Sequence, residues 1–287
     1  MDIKKAIKIE NAVYERVVMP LPMFKISKKF ENNPYIVSTN SGQYDISFGF
    51  LRGIPSYLAQ DALIYLFTKV PRKKDANGKT IINYERLNEE GIEFTIYEVC
   101  KALGKDPTDR KTRQRLCEEL EKLAFVALHA KKISNVIDPH GIPAELRSMN
   151  GQSFIKLELY KPRNNNTQES KTLKSRLYLN PFTIYNFSEK YYQLVKFDEY
   201  MSIKTPTARR LYLLVQYYSF AKFKKLDMEK LAERIPIYTS NKHAKSTLKQ
   251  ALTEFENRGF IENFNIGKNS EGRDIVTIEY PQLAIKA

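Results

Sequence analysis

Two stretches of the chain repeat each other in register, and that repeat limits the folds open to it. They are TIYEVCKALGKDPTDRKTRQRLCEELEKL at 95–123 and DMEKLAERIPIYTSNKHAKSTLKQALTEF at 227–255. Val99 aligns with Leu231, Leu103 with Ile235, Leu116 with Leu248, Leu120 with Leu252 and Leu123 with Phe255. The interval is constant at 132 residues (227 − 95) and needs no gap. Apolar matches alone fit two ordinary helical hairpins. Thr95 and Asp227 share a cap position, Thr108 and Ser240 share the next, and Arg110 and Arg113 fall on Lys242 and Lys245. Caps, turn length and basic residues in one register make this a tandem repeat.

Each copy reads as two helices around a short turn. In the second, Met228, Leu231, Ala232 and Ile235 give the first helix an apolar side, and Pro236 limits its length. From the Ser240 cap, Leu248, Ala251, Leu252 and Phe255 recur at i, i+3, i+4 and i+7 until Gly259 stops the helix. Residues 260–266 and 275–280 alternate as strands about a turn at 267–274. Two helices followed by a hairpin predict a winged helix-turn-helix, whose second helix enters the major groove. The turn, GKNSEGRD, has P-loop glycine spacing but lacks the Lys-Ser/Thr ending and the following helix, so it reads as a wing turn.

The expected fold class is therefore α+β: two tandem winged helix-turn-helix domains with an N-terminal extended segment. Residues 1–50 form the extension, 51–180 the first domain with an enlarged wing, and 181–287 the second. Pro20 and Pro22 keep the apolar stretch at 17–29 extended, and 43–50 alternates like a strand. That extension suits an edge or clasp on the first domain. A helix starts at Pro55 or Ser56, with Leu58, Ala62, Tyr65 and Leu66 inward. A loop with Asp75, Asn77 and Gly78 follows. Strands at 125–133, 153–160 and 176–179 make one enlarged wing sheet, separated by polar loops, of which 162–174 is almost free of apolar residues. Residues 181–187 suit a short helix. Thr205 followed by Pro206 opens a helix through 220, with Leu211, Leu214, Val215 and Tyr218 on one face.

Charge narrows the partner. The 287 residues hold 47 Lys plus Arg against 33 Asp plus Glu, a net +14. Such an excess favours DNA, RNA or an anionic membrane surface. No apolar run is long enough to span a bilayer, and the first 17 residues lack a signal-peptide core. Cys100 and Cys117 fall on apolar helix faces, as buried small hydrophobes in a reducing cytoplasm.

The candidate contacts follow from the helix stripes. On the first second-helix, Arg110, Lys111, Arg113 and Gln114 lie off the Leu116/Leu120/Leu123 stripe. Arg reads guanine and Gln adenine through two-pronged hydrogen bonds. On its counterpart, Lys242, His243, Lys245, Ser246, Lys249 and Gln250 take that surface, and lysines mainly hold phosphates. Helix N-termini at Thr108 and Ser240 aim amides at phosphate. Lys131, Lys132, Lys268 and Arg273 are the wing candidates. Each of these also suits a solvated charge; as a set they point to DNA. Arg209 and Arg210 suit either a structural ion pair or phosphate, the ion pair being favoured for one of them. Catalysis finds little support. His129, His140 and His243 are scattered, with no metal-binding pair for a nicking enzyme, and neighbours Glu118 and Glu119 point apart on a helix. No cofactor or metal is expected.

Four further stretches carry a family likeness: PLPMFKISKK, GIPSYLAQDALIYL, SRLYLNPFTIYN and ARRLYLLVQYYSF. In that order they resemble the plasmid replication initiator protein A family. The resemblance implies a tandem winged-helix, non-enzymatic initiator. It would bind repeated sites in double-stranded origin DNA, aid duplex opening and bring in host replication proteins such as the replicative helicase, with homodimerisation off DNA a further option. A winged-helix transcriptional regulator is the alternative, and a rolling-circle nicking enzyme a third.

Overall fold

The computed structural model describes residues 12–15, 24, 36–40, 45–137, 143–160, 171–188, 192–219, 223–229, 231, 235 and 241–281. The chain forms two compact units, Met1–Glu15 with Phe30–Asp198, and Arg16–Lys29 with Glu199–Ala287. The first thus runs past the residue 180 expected from sequence. Strand β11 (Tyr192–Val195) pairs antiparallel with β1 (Ala12–Glu15), and the Phe187 ring meets Phe67 edge-on, so 181–198 packs with what precedes it. The first 50 residues are divided between both units: β1 belongs to the first, and Arg16–Lys29, which holds the buried Phe24, to the second.

In the first unit, α1 (Tyr57–Thr68) is apolar nearly all round and packs on α3 (Ile96–Ala102) and α4 (Arg110–Ala124). Ser56 caps α1, its hydroxyl accepting from the Leu58 amide at 3.3 Å. The Ser56 amide donates to the buried Glu119 carboxylate of α4 at 2.5 Å, and Lys122 donates to the other oxygen at 2.7 Å. Burial pushes the Glu119 carboxyl up, but the bonds from Lys122 and Ser56 outweigh it and hold it below the ordinary value. Glu119→Ala should cost about 1–3 kcal/mol by stranding the Ser56 amide. Its contribution is present above the unfolded value of about 4.3 and is lost as pH falls through the lower folded value. Urea melts from pH 7 to 3 should show a smaller pH-dependent loss for Glu119→Gln than for the wild type; equal losses would refute the role.

The residues between α1 and α3 form a hairpin, not a loop: β4 (Arg72–Lys74) pairs with β5 (Thr80–Ile82). The short helix α2 (Tyr84–Glu90) follows, capped by Asn83. Gly91 turns the chain into β6 (Ile92–Phe94) at φ +68°; a Cβ there would stand 2.7 Å from the Leu177 carbonyl. Thr95 caps α3 as expected, accepting from the Glu98 amide at 3.1 Å.

The enlarged wing sheet is two sheets. Strand β3 (Asp45–Phe50) pairs with β2 (Ile36–Asn40) and β7 (Val126–Ile137), and β7 with β8 (Pro143–Ser153). After Phe154, β9 (Ile155–Glu158) pairs instead with β10 (Ser175–Leu179), which pairs with β6. Phe154 and Ile155 are buried at this break, so the chain leaves one sheet for the other where its side chains enter the core. Helices α5 (Pro181–Ser188) and α6 (Phe197–Ser202) complete the described elements of this stretch.

In the second unit, α7 (Pro206–Tyr218) starts from Thr205, whose hydroxyl accepts from the Ala208 amide. Helix α8 (Asn241–Asn257) packs on α7 through Phe255, whose ring meets Tyr212 at 6.2 Å and Phe260 at 5.7 Å. Strands β12 (Phe223–Asp227), β13 (Asn263–Lys268) and β14 (Asp274–Glu279) form one sheet with β14 central. Half of the helix expected at 228–235 lies outside the described residues; Met228, Leu231 and Ile235 are described and buried.

Each unit contains a three-stranded sheet of the same strand order. In each, a strand precedes the repeat and pairs in a three-stranded sheet ordered first–third–second, β6-β10-β9 and β12-β14-β13; in the first unit β7 and β8, which belong to another sheet, intervene between α4 and β9. All five aligned apolar pairs of the repeat are buried.

Candidate nucleic-acid interface

Helix α4 turns its core stripe inward and leaves Arg110, Lys111, Gln114 and Arg115 exposed. Its start lies one residue later than the sequence predicts. Asp109, not Thr108, is the cap, its carboxylate accepting from the Lys111 amide at 3.1 Å and the Thr112 amide at 3.0 Å. Thr108 is drawn away because its amide and hydroxyl both donate to Asp106. The Thr112 hydroxyl and amide and the Lys111 amide keep the Asp109 carboxyl below its usual range. An anion already occupies these amides, so the start of α4 does not offer them to phosphate. Ser240 lies outside the described residues.

Arg113 is half-buried. Its guanidinium donates to the Pro107 and Thr108 carbonyls, each at 2.8 Å, closing the α3–α4 turn. Gln114 donates to Glu118 at 2.9 Å along the exposed helix surface. Arg115 sits four residues after Lys111 and therefore on the same face, a spacing visible in the sequence but not used in it. With Lys105 and Thr112 it rims a cleft of about 130 Å³ over Leu58, Cys100, Leu103 and Leu116. Lys101 and Lys105 add exposed charge on α3 and in the turn. Both cysteines are buried free thiols, and burial raises Cys100 to about 11.

On α8, His243, Lys245, Ser246, Lys249 and Gln250 are exposed. Lys245 pairs with Asp274 on β14 at 2.9 Å, tying the helix to the hairpin and lowering that carboxyl. Lys268 is exposed at the end of β13, and Arg273 pairs with Glu271 at 3.0 Å in the hairpin turn. Lys131 and Lys132 lie in β7, and Lys242 in the first turn of α8. Arg209 and Arg210 are buried, which removes them from any phosphate surface; Arg209 donates to the Ile203 carbonyl at 3.0 Å and lies over the Tyr200 ring.

No protein-family model matches the sequence, and no curated protein matches it. Two solved structures are similar to the chain. A selenomethionine crystal structure of domains 2 and 3 of RctB aligns over 93% of this chain and 99% of that chain, with a TM-score of 0.51 at 10% identity. A second crystal structure of RctB domains 2–3 aligns over 92% of this chain and 96% of that one, with a TM-score of 0.48 at 11% identity. The chain has a mixed α/β fold like that of RctB domains 2 and 3. Among the described residues no helix is long and apolar enough to cross a membrane, and no group of three His, Cys, Asp or Glu side chains is placed to hold a metal.

Proposed function

We propose that this chain is a cytoplasmic, non-enzymatic plasmid replication initiator whose two units are winged helix-turn-helix domains. It binds repeated sites in origin DNA, aids duplex opening and recruits host replication proteins such as the replicative helicase. The observation that carries this reading is the repeated strand order of the two three-stranded sheets, β6-β10-β9 and β12-β14-β13, with exposed basic residues on α4 and α8. RctB is a Vibrio replication initiator, and the shared fold supports the same class of role here.

Geometry divides the labour among the candidates. Arg110 and Gln114 are exposed on α4 and suit base edges. Arg113 holds the turn, and Lys245 holds the hairpin against α8. Arg110→Ala should cost roughly 1–3 kcal/mol of discrimination at one base pair and relax preference there. Lys249→Ala should weaken binding to all duplexes alike. Selection from a randomised duplex pool reads both; equal, sequence-independent losses would show that α4 does not read bases.

Initiation itself is tested on a supercoiled plasmid carrying the repeats. The chain should make thymines beside the repeats reactive to permanganate. Tight binding without that reactivity would replace the initiator by a transcriptional regulator.

A further inference from the structure

We propose that the β4–β5 hairpin is a separate phosphate-gripping finger that binds the duplex backbone beside the groove entered by α4. This rests on the duplex-binding reading above.

Segment 71–80, PRKKDANGKT, holds Arg72, Lys73, Lys74 and Lys79 against the one acid Asp75. The acid is spent on the turn: its Oδ1 accepts from the Asn77 amide at 2.9 Å and the Lys79 amide at 2.8 Å. Gly78 supplies the positive φ of 75° that this turn needs. At the root, the Asn83 amide donates to the Pro71 carbonyl at 2.8 Å, and Ile82 is buried. An isolated two-stranded hairpin is marginal in water; this one is closed at both ends. Its cations are therefore presented on an ordered frame.

Successive strand residues face opposite ways. Lys73 and Lys74 thus make both faces of the hairpin basic, and both are exposed. Lys74 donates to the Thr80 hydroxyl across the strands at 2.7 Å, and Lys73 pairs with Glu85 at 3.2 Å on an exposed surface, a weak and screened contact. The Lys79 side chain is exposed. Beyond its root, where Ile82 is buried, the hairpin exposes Lys73, Lys74 and Lys79 and no large apolar side chain for a further protein contact. It suits a polyanion that surrounds it, such as the phosphate rows bordering a groove.

The position agrees. Lys69, just before the hairpin, pairs with Glu98 in the first turn of α3. Lys171 lies over the Tyr97 ring at the same end of that helix. Helix α4 begins after the other end of α3. Seven residues of helix span roughly 10 Å, close to the ~12 Å width of the major groove. In a helix-turn-helix the first helix crosses the backbone. With α4 in the groove, the first turn of α3, which the Lys69–Glu98 pair ties to the residues just before the hairpin, lies toward the bordering phosphates.

The test is the triple variant Lys73→Gln/Lys74→Gln/Lys79→Gln, with Lys79→Glu as a single charge reversal that keeps the backbone bonds of the turn. Both should retain the wild-type melting temperature. Titrated by anisotropy against an origin-repeat duplex and a scrambled duplex, the triple variant should bind both about 10- to 100-fold more weakly. Its slope of log affinity against log salt should fall in magnitude by about 2–3, since each lost phosphate contact removes about 0.9. The preference for the origin duplex should be unchanged. Wild-type affinity and slope in both variants, while Arg110→Ala/Lys111→Ala still loses affinity, would overturn the finger and leave the function standing. If the wild type shows no salt-dependent duplex binding, the function fails and the finger with it.

Discussion

Duplex affinity is expected to fall about 10³- to 10⁵-fold between 50 and 200 mM salt. The exposed cations on and around the two repeat helices set this magnitude: Lys101, Lys105, Arg110, Lys111 and Arg115 in one unit, Lys249 and Lys268 in the other. Lysines and arginines that neutralise phosphates release condensed counterions, and some 6–10 such contacts give a loss of this size. The same count sets a slope of log affinity on log salt with magnitude on the order of 5–10. Anisotropy titrations across that salt range measure it directly. A slope near zero would mean that these cations face solvent and that the net charge of +14 serves some other end.

The second large effect lies in the core of the second unit. Phe255→Ala should destabilise that unit by about 3–5 kcal/mol, the range for truncating a buried phenylalanine. Phe255 has no exposed surface, and its ring is held edge-on by Tyr212 and Phe260. Those neighbours cannot close over the void without breaking their own contact, at 5.1 Å between ring centres. At about 4–8 °C per kcal/mol for a domain of 60–100 residues, the melting transition of that unit should drop by about 12 °C or more. Lys249→Ala, on the opposite side of the same helix, should stay within about 0.5 kcal/mol of the wild type. Calorimetry separates the two. A loss below about 1 kcal/mol for Phe255→Ala would mean that α8 is not anchored at this position.

Helices α3, α4 and α8 of the repeat were legible because their signals are local. An apolar residue every three or four positions defines a buried face whatever the partner, and Leu116, Leu120, Leu123, Leu248, Leu252 and Phe255 are all buried. Thr95, Ser56 and Thr205 cap helices because a hydroxyl one residue before a helix reaches its own amides in any context. Asp109 displaced Thr108 only because Asp106 competes for the threonine hydroxyl, a choice among adjacent residues that periodicity does not rank.

Tertiary structure decided everything that depends on distant partners. Strand alternation shows that β9 and β10 exist, but not that they leave the β7–β8 ribbon to pair with each other and with β6. A basic residue in sequence carries its charge but not its neighbour. Lys245 meets Asp274, 29 positions on, and Arg113 folds back on the turn before it, so two expected contacts acquired structural partners. The glycine and asparagine at 77–78 marked a turn, but Arg72–Lys74 became a strand only by pairing with Thr80–Ile82 on a root anchored by buried Ile82. Periodicity and caps act through the chain's own backbone within one or two turns, which is why residue order alone determined them. Pairing and charge compensation act through space, and only the folded chain brings those partners together.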